Sequence, residues 1–228
     1  MHEIILDKIP FNLDTASLMA NLRIRPGSSH VRDLERLIVE GQAIAKPKAL
    51  YKIAYVDARG EDFVTLDGVR LTSRVLRINL DNAHRLFAYL VTCGTELERW
   101  AESMSDLLHR FWAGAIQETA LLTAHAALEQ HLAEMYQPGL LSMMNPGSLE
   151  DWPLPQQQIL FEILGDTREL IGVHLTESCL MIPAKSVSGL LFPTEENFES
   201  CQLCPRDNCS GRRSPYDESL LHGKYAYP

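Results

Sequence analysis

From Glu96 to about Tyr136 the chain contains no proline, and Trp112, Ile116, Leu121 and Leu128 mark an apolar stripe through it. This is the strongest helical pattern in the sequence. Ala113-Gly114-Ala115 and Ala124, Ala126 and Ala127 are small residues that let another element approach closely. Ser103-Met104-Ser105, with Asp106 in a first turn, predicts a break that splits the stretch into two helices.

The rest of the chain mixes strands and short helices without a regular βαβ rhythm. Residues 1–10 alternate like a strand, Asp14-Thr15-Ala16-Ser17 opens a short helix, and Ser28 or Ser29 caps a second one carrying Val31, Leu34, Leu37 and Ile38. Residues 49–57 read as a strand, and Asp67-Gly68 between two short apolar runs is a hairpin signal. Residues 75–80 read as another strand, and residues 86–93 as a buried strand stopped by Gly94. Four prolines and two glycines make residues 138–155 a structured loop, and residues 156–164 read as helix. Short strands are predicted at 170–176, 179–182 and from 190 onward; after Pro193 the apolar periodicity fades. This order favours an α+β fold over a doubly wound sheet.

With 228 residues the chain can bury a sizeable core as one large domain or two small ones. A net charge of −9 argues against nucleic acid as a partner, since phosphate binding needs a basic surface. The first apolar run, Ile4-Ile5-Leu6, is too short for a signal peptide, and no run approaches a membrane span. The expected location is therefore cytoplasmic, with no membrane partner.

Of five cysteines, three crowd together as Cys201-Gln-Leu-Cys204-Pro-Arg-Asp-Asn-Cys209, which is not a secreted disulfide framework. A CxxC pair lets two thiolates meet one metal from a tight turn, and a third thiolate five residues on closes another corner. A structural zinc or a cubane usually takes four protein ligands. Cys179 and Cys93 are the candidates for the fourth, and Cys179, at a strand-like edge, is the better placed. The spacing admits unligated thiols, a zinc knuckle or an iron–sulfur cluster. A 4Fe-4S cluster is favoured, with zinc as the alternative. Arg206, Arg212 and Arg213 would offset the negative charge of a thiolate-bound cluster.

Two other segments are candidates. Met181 to Gly189 enters a proline and then a polar turn, where Lys185, Ser186, Ser188 and the backbone at Gly189 could hold an anion or a ligand carboxylate. Taken alone, the segment reads as readily as a surface loop. Asn145-Pro146-Gly147-Ser148 to Trp152-Pro153 makes a rigid ledge, with Trp152 expected to pack beneath it. No two of the eight histidines stand at i, i+4, and there is no P-loop, GxGxxG or nucleophile elbow, so no catalytic residue is assigned.

Read in order, these pieces form a pattern. Leu175-Thr176-Glu177-Ser178-Cys179-Leu180-Met181-Ile182-Pro183, then Val187-Ser188-Gly189 and Phe192, resembles the reactivation domain of cobalamin-dependent methionine synthase. The segment from Asn145 lies where that domain carries its proline- and glycine-rich adenosylmethionine loop. Thr92-Cys93-Gly94-Thr95-Glu96-Leu97-Glu98 resembles a motif of free-standing relatives. The resemblance implies a twisted, mainly antiparallel sheet with flanking helices over residues 1–195; residues 196–228 are expected to form a cysteine-cluster tail packed on it. It implies a corrinoid protein or cobalamin-dependent methyltransferase as partner, whose cobalt is reduced and then methylated from adenosylmethionine.

Two departures qualify that expectation. The family loop has an arginine ahead of its proline and a Gly-Tyr-Pro step; here the preceding positions are Met143 and Met144, and Gly147 is followed by Ser148. Binding of adenosylmethionine is thereby put in doubt. The cysteine tail is the second departure. Together they predict a redox accessory protein that passes an electron to cobalt through Cys201, Cys204, Cys209 and Cys179. The alternatives are a zinc-stabilised interaction module and an adenosylmethionine-dependent reactivator.

Overall fold

The computed structural model describes residues 2–209 and 212–226. Strands β1 (Ile4–Leu6), β2 (Lys48–Arg59), β3 (Phe63–Leu66), β4 (Val69–Thr72), β5 (Arg85–Thr92) and β6 (Leu141–Met144) are followed by a short pair, β7 (His174–Leu175) and β8 (Met181–Ile182), and by β9 (Ser186–Pro193). The main sheet runs β4-β3-β2-β5-β9-β6, with β1 also paired to β2, and every pairing is antiparallel. The fold is α+β, as the sequence predicts.

Strand β5 explains the layering. Its run Leu86 to Val91 is entirely apolar, so neither face can meet water. Leu86, Ala88 and Leu90 face one core; Phe87, Tyr89 and Val91 face a second. Helices α1 (Thr15–Asn21), α2 (Val31–Ile44), α4 (Thr95–Glu102) and α5 (Leu107–Tyr136) supply the second core, where Leu34, Leu37, Trp112 and Ile116 are buried. Helices α3 (Arg74–Asn79), α6 (Gln156–Leu164) and α7 (Thr167–Ile171) cover the first, with Leu76, Leu160 and Ile171 inside.

The predicted helix break is real. Gly94 opens α4, Ser103 ends it, and the Asp106 carboxylate caps α5 through the His109 N–H at 2.8 Å. The small residues Ala113, Ala120 and Ala124 are buried along α5. The Asp67-Gly68 hairpin joins β3 to β4 as expected.

Elsewhere the structure corrects the sequence reading. Residues 75–80 are helical: Ser73 caps α3, and Asp151, from the proline-rich loop, accepts from the N–H groups of Arg74 and Val75 at 3.2 and 3.0 Å. Those partners lie far away in sequence, which is why local pattern pointed to a strand. Helix α2 begins after His30 without a side-chain cap, so Ser28 and Ser29 do not cap it. The loop 138–155 contains edge strand β6, and the strand predicted at 170–176 is only His174–Leu175, since residues 170 and 171 belong to helix α7. Strand β9 starts at Ser186, so the segment read as a polar turn is already in the sheet.

The segment after Pro193 carries a 3-10 turn (Ser200–Leu203) and helix α8 (Glu218–His222). Phe198, Leu203 and Tyr225 are buried in the first core, and the Tyr225 hydroxyl donates to Asn79 Oδ1 at 2.6 Å. Phe198 N–H donates to Ser142 Oγ at 2.9 Å, and Glu199 bridges to Met143 alongside β6.

Gly189 marks the tightest approach in the sheet. A Cβ there would lie 2.4 Å from Asn145 Nδ2 and 2.5 Å from the Met144 carbonyl oxygen. Gly189→Ala is therefore expected to push β6 away from β9 and lower stability by about 1–3 kcal/mol. Leu90→Ala, which only opens a cavity, is expected to cost about 2–5 kcal/mol. Urea denaturation of both variants measures these losses.

Candidate functional site

The site is built where β9 meets the loop after β6. Asn145 is its hinge point: Nδ2 donates to the Tyr89 hydroxyl at 2.7 Å and to the Ser188 carbonyl at 2.9 Å. Tyr89 in turn donates to Met143 Sδ at 2.7 Å. Burial pushes the Tyr89 phenol above its ordinary range, so it stays protonated and can hold this role. Pro146 and Gly147 follow, and Gly147, at φ 83, adopts a backbone that other residues rarely take. Its N–H donates to the Trp152 carbonyl at 2.7 Å, folding the loop over the fully buried Trp152 ring. The sequence-predicted packing of Trp152 is observed.

Gln157, from the first turn of α6, ties the second wall. Its Nε2 donates to the Cys179 carbonyl at 2.7 Å, and its Oε1 accepts from the Ser188 hydroxyl at 3.2 Å. Cys179 stands at φ 63 in the tight turn between β7 and β8, its N–H bonded to the Thr176 carbonyl at 3.0 Å. A left-handed conformation at a non-glycine residue is unusual and marks the turn as specially held.

The third wall is the cysteine segment, organised by one side chain. The Arg212 guanidinium donates to the carbonyls of Cys201 and Ser214 at 3.0 and 3.2 Å, to Cys204 at 3.1 Å, and to Arg206. Arg212 thus holds the loop's backbone rather than facing the sulfurs. Arg213 N–H donates to Cys201 Sγ at 3.4 Å, and its guanidinium pairs with Glu199 at 2.8 Å.

These walls enclose one cavity of about 950 Å³, a volume suited to a nucleoside-sized ligand. Cys179, Cys201, Cys204 and Cys209 all line it, together with the loop from Asn145 to Ser148. Cys93 does not; it is buried in the other core, and burial pushes its thiol up to about 12. Among the described residues no three His, Cys, Asp or Glu side chains are gathered closely enough to hold a metal ion.

The predicted anion-binding segment is distributed differently. Ser186 and Ser188 line the cavity, but the Ser186 hydroxyl is committed to the Pro183 carbonyl and Thr92 Oγ1 at 2.8 and 2.9 Å. Lys185 pairs with Glu118 outside the lining, and Gly189 serves the strand contact described above. Sequence reasoning missed Tyr89, Asn145 and Gln157 as organisers of the site. A buried glutamine in α6 is a signal, but only its burial reveals it. His125 of α5 also faces the cavity; its Nδ1 lies 3.6 Å from Glu129, whose carboxyl is held below its usual range by that histidine.

Thiol accessibility tests this layout. In metal-free protein at pH 8, the half-exposed Cys201, Cys204 and Cys209 are expected to react quickly with a chromogenic disulfide, and Cys93 and Cys179 slowly until denaturant is added. Cys93 also sets a pH dependence. Its thiol holds its proton to about 12 when folded, against 9.0 as the ordinary value, so unfolding releases a proton between them. Stability should fall as pH rises through that window. Urea midpoints measured above pH 9 should fall less steeply in Cys93→Ala.

No curated protein matches the chain. The crystal structure of the MetH reactivation domain bound to AdoHcy is similar in fold, with a TM-score of 0.62 and 14% identity over 88% of this chain and 81% of that one. The model of the family described as vitamin B12 dependent methionine synthase, activation domain, matches residues 97–210, which is half of the sequence and includes α5, the Pro-Gly loop, β9 and every cysteine but Cys93. The chain belongs to the vitamin B12 dependent methionine synthase activation domain family.

Proposed function

We propose that this chain is a redox accessory protein for the reductive activation of a corrinoid protein or cobalamin-dependent methyltransferase. The observation that carries the reading is that four cysteines and the Pro146-Gly147 loop wall the same cavity. The proposal treats residues 1–195 as the activation-like domain and 196–228 as its cysteine-bearing tail.

Cys201, Cys204 and Cys209 would hold an iron–sulfur cluster, with Cys179 as fourth ligand. The donor set fits: soft thiolates on a short CxxC turn, with a further thiol presented by the Cys179 turn across the cavity. Because the sulfurs are not gathered in the folded chain, cluster binding would draw the Cys204–Cys209 loop inward. A bound cluster would supply one electron to take the partner's cobalt(II) to cobalt(I), becoming oxidised by one electron itself and drawing its replacement from an external one-electron donor. Arg212 keeps the loop carbonyls together while the sulfurs move. Leu122 and Leu180, 62% and 57% exposed at the cavity, give the partner an apolar seat.

The doubt over adenosylmethionine is revised. Met143, Met144 and Ser148 do depart from the family loop, but the loop still forms, held by Asn145 rather than by an arginine. The structurally similar MetH domain was crystallised with AdoHcy. The cavity is accordingly proposed to take an S-adenosyl compound, whose methyl group would be transferred to cobalt(I), leaving the thioether.

Anaerobic purification with iron, sulfide and zinc analysis, and electron paramagnetic resonance of the reduced protein, tests the redox role. Iron with acid-labile sulfide is expected, lost in Cys201→Ser and Cys204→Ser. Stoichiometric zinc without iron would overturn electron transfer and leave a zinc-held interaction module. AdoHcy at a hundredfold over its Kd should stabilise the protein by about 2.7 kcal/mol in a thermal melt.

A further inference from the structure

The cavity is unlike the rest of the molecule in charge. The chain carries −9 overall, yet among the described residues the cavity wall contains Arg206 and Arg213 and no Asp, Glu or Lys. A guanidinium at the wall favours an anionic group, and it pairs with carboxylate through parallel N–H bonds.

The two arginines are not equivalent. Arg213 is already engaged by Glu199 at 2.8 Å, and its charge helps lower the Glu129 carboxyl. Arg206 is exposed, and among the described residues its guanidinium has no hydrogen bond or ion pair; only its carbonyl is used, as an acceptor for Arg212. It stands between Cys204 and Cys209, so the same short loop would place thiolates and a free guanidinium on one wall.

We propose that Arg206 is the carboxylate-binding residue of this cavity, recognising the amino-acid end of an S-adenosyl ligand. The inference rests on the proposed S-adenosyl reading and deepens it. The adenosine end would lie against the loop from Asn145 to Ser148, which lines the same cavity. The amino-acid end would then reach the tail, and the tail, rather than the Pro-Gly loop, would supply the cation. The hydroxyls of Ser186 and Ser188 are committed to protein partners. Lys185, paired with Glu118, is not available for this task either.

The probes are S-adenosylhomocysteine and 5′-methylthioadenosine, which share the adenosine thioether but differ in the amino-acid carboxylate. Calorimetry on the full chain should show wild-type protein preferring the first by about tenfold or more. Arg206→Ala should abolish that preference while leaving the affinity for methylthioadenosine unchanged, and Arg206→Lys should retain part of it. A thermal melt without ligand checks that each variant folds. If Arg206→Ala keeps the full preference, the assignment to Arg206 is overturned and the S-adenosyl reading stands. If wild-type protein binds neither nucleoside, the S-adenosyl reading itself fails, and this inference with it.

Discussion

Burial of strands β5 and β9 on both faces is the constraint from which the rest follows. Leu86 to Val91 and Leu190 to Phe192 leave no polar face in the centre of the sheet, so helices must close it from both sides. The cavity proposed as the site lies instead where the sheet ends. That place is the β6 edge, four residues long, beside which Glu199 of the tail continues the pairing. The tail thereby covers an edge that would otherwise expose unpaired backbone. Its cysteines arrive at the Pro-Gly loop because covering the edge brings them there.

How much of this the sequence discloses depends on the range of the interactions that decide each element. Strand β5, the α4–α5 break at Asp106 and the β3–β4 hairpin are decided locally, by apolar runs, a cap and an Asp-Gly turn, and all three were legible. Helix α3 was not, since Val75 and Ile78 suit a strand and the capping carboxylate comes from Asp151. The start of β9 was hidden for a similar reason. Two serines and a glycine look like a turn until Thr92, Gln157 and Asn145 are seen to occupy them.

The same distinction applies within the site. Clustering of Cys201, Cys204 and Cys209 is a property of spacing, so it could be read directly. Their sharing of a cavity with Cys179 and the loop at Pro146 is a property of tertiary structure, fixed by Asn145 on one side and Gln157 on the other. Cys93, the other candidate for a fourth ligand, was ranked behind Cys179 on sequence, and topology gives the reason: as the residue just after β5 it falls in the core packed by α2, α4 and α5. The arginines illustrate the converse. Grouped in sequence as one basic patch, they divide in space into a backbone clamp, a carboxylate-paired residue and a guanidinium without a partner among the described residues.

That division has a thermodynamic consequence for the proposed activity. Arg206 stands between two cysteines of the wall, so thiolates drawn together by a cluster would raise the negative charge beside the guanidinium proposed to hold a ligand carboxylate. The two negative groups would compete for one exposed cation, so salt should weaken the competition. Ligand binding and cluster charge are then linked, and the linkage is reciprocal. A cluster held by those thiolates would weaken carboxylate binding, and more so when reduced by one electron; because the methyl donor and its thioether product share that carboxylate, the effect would fall on both.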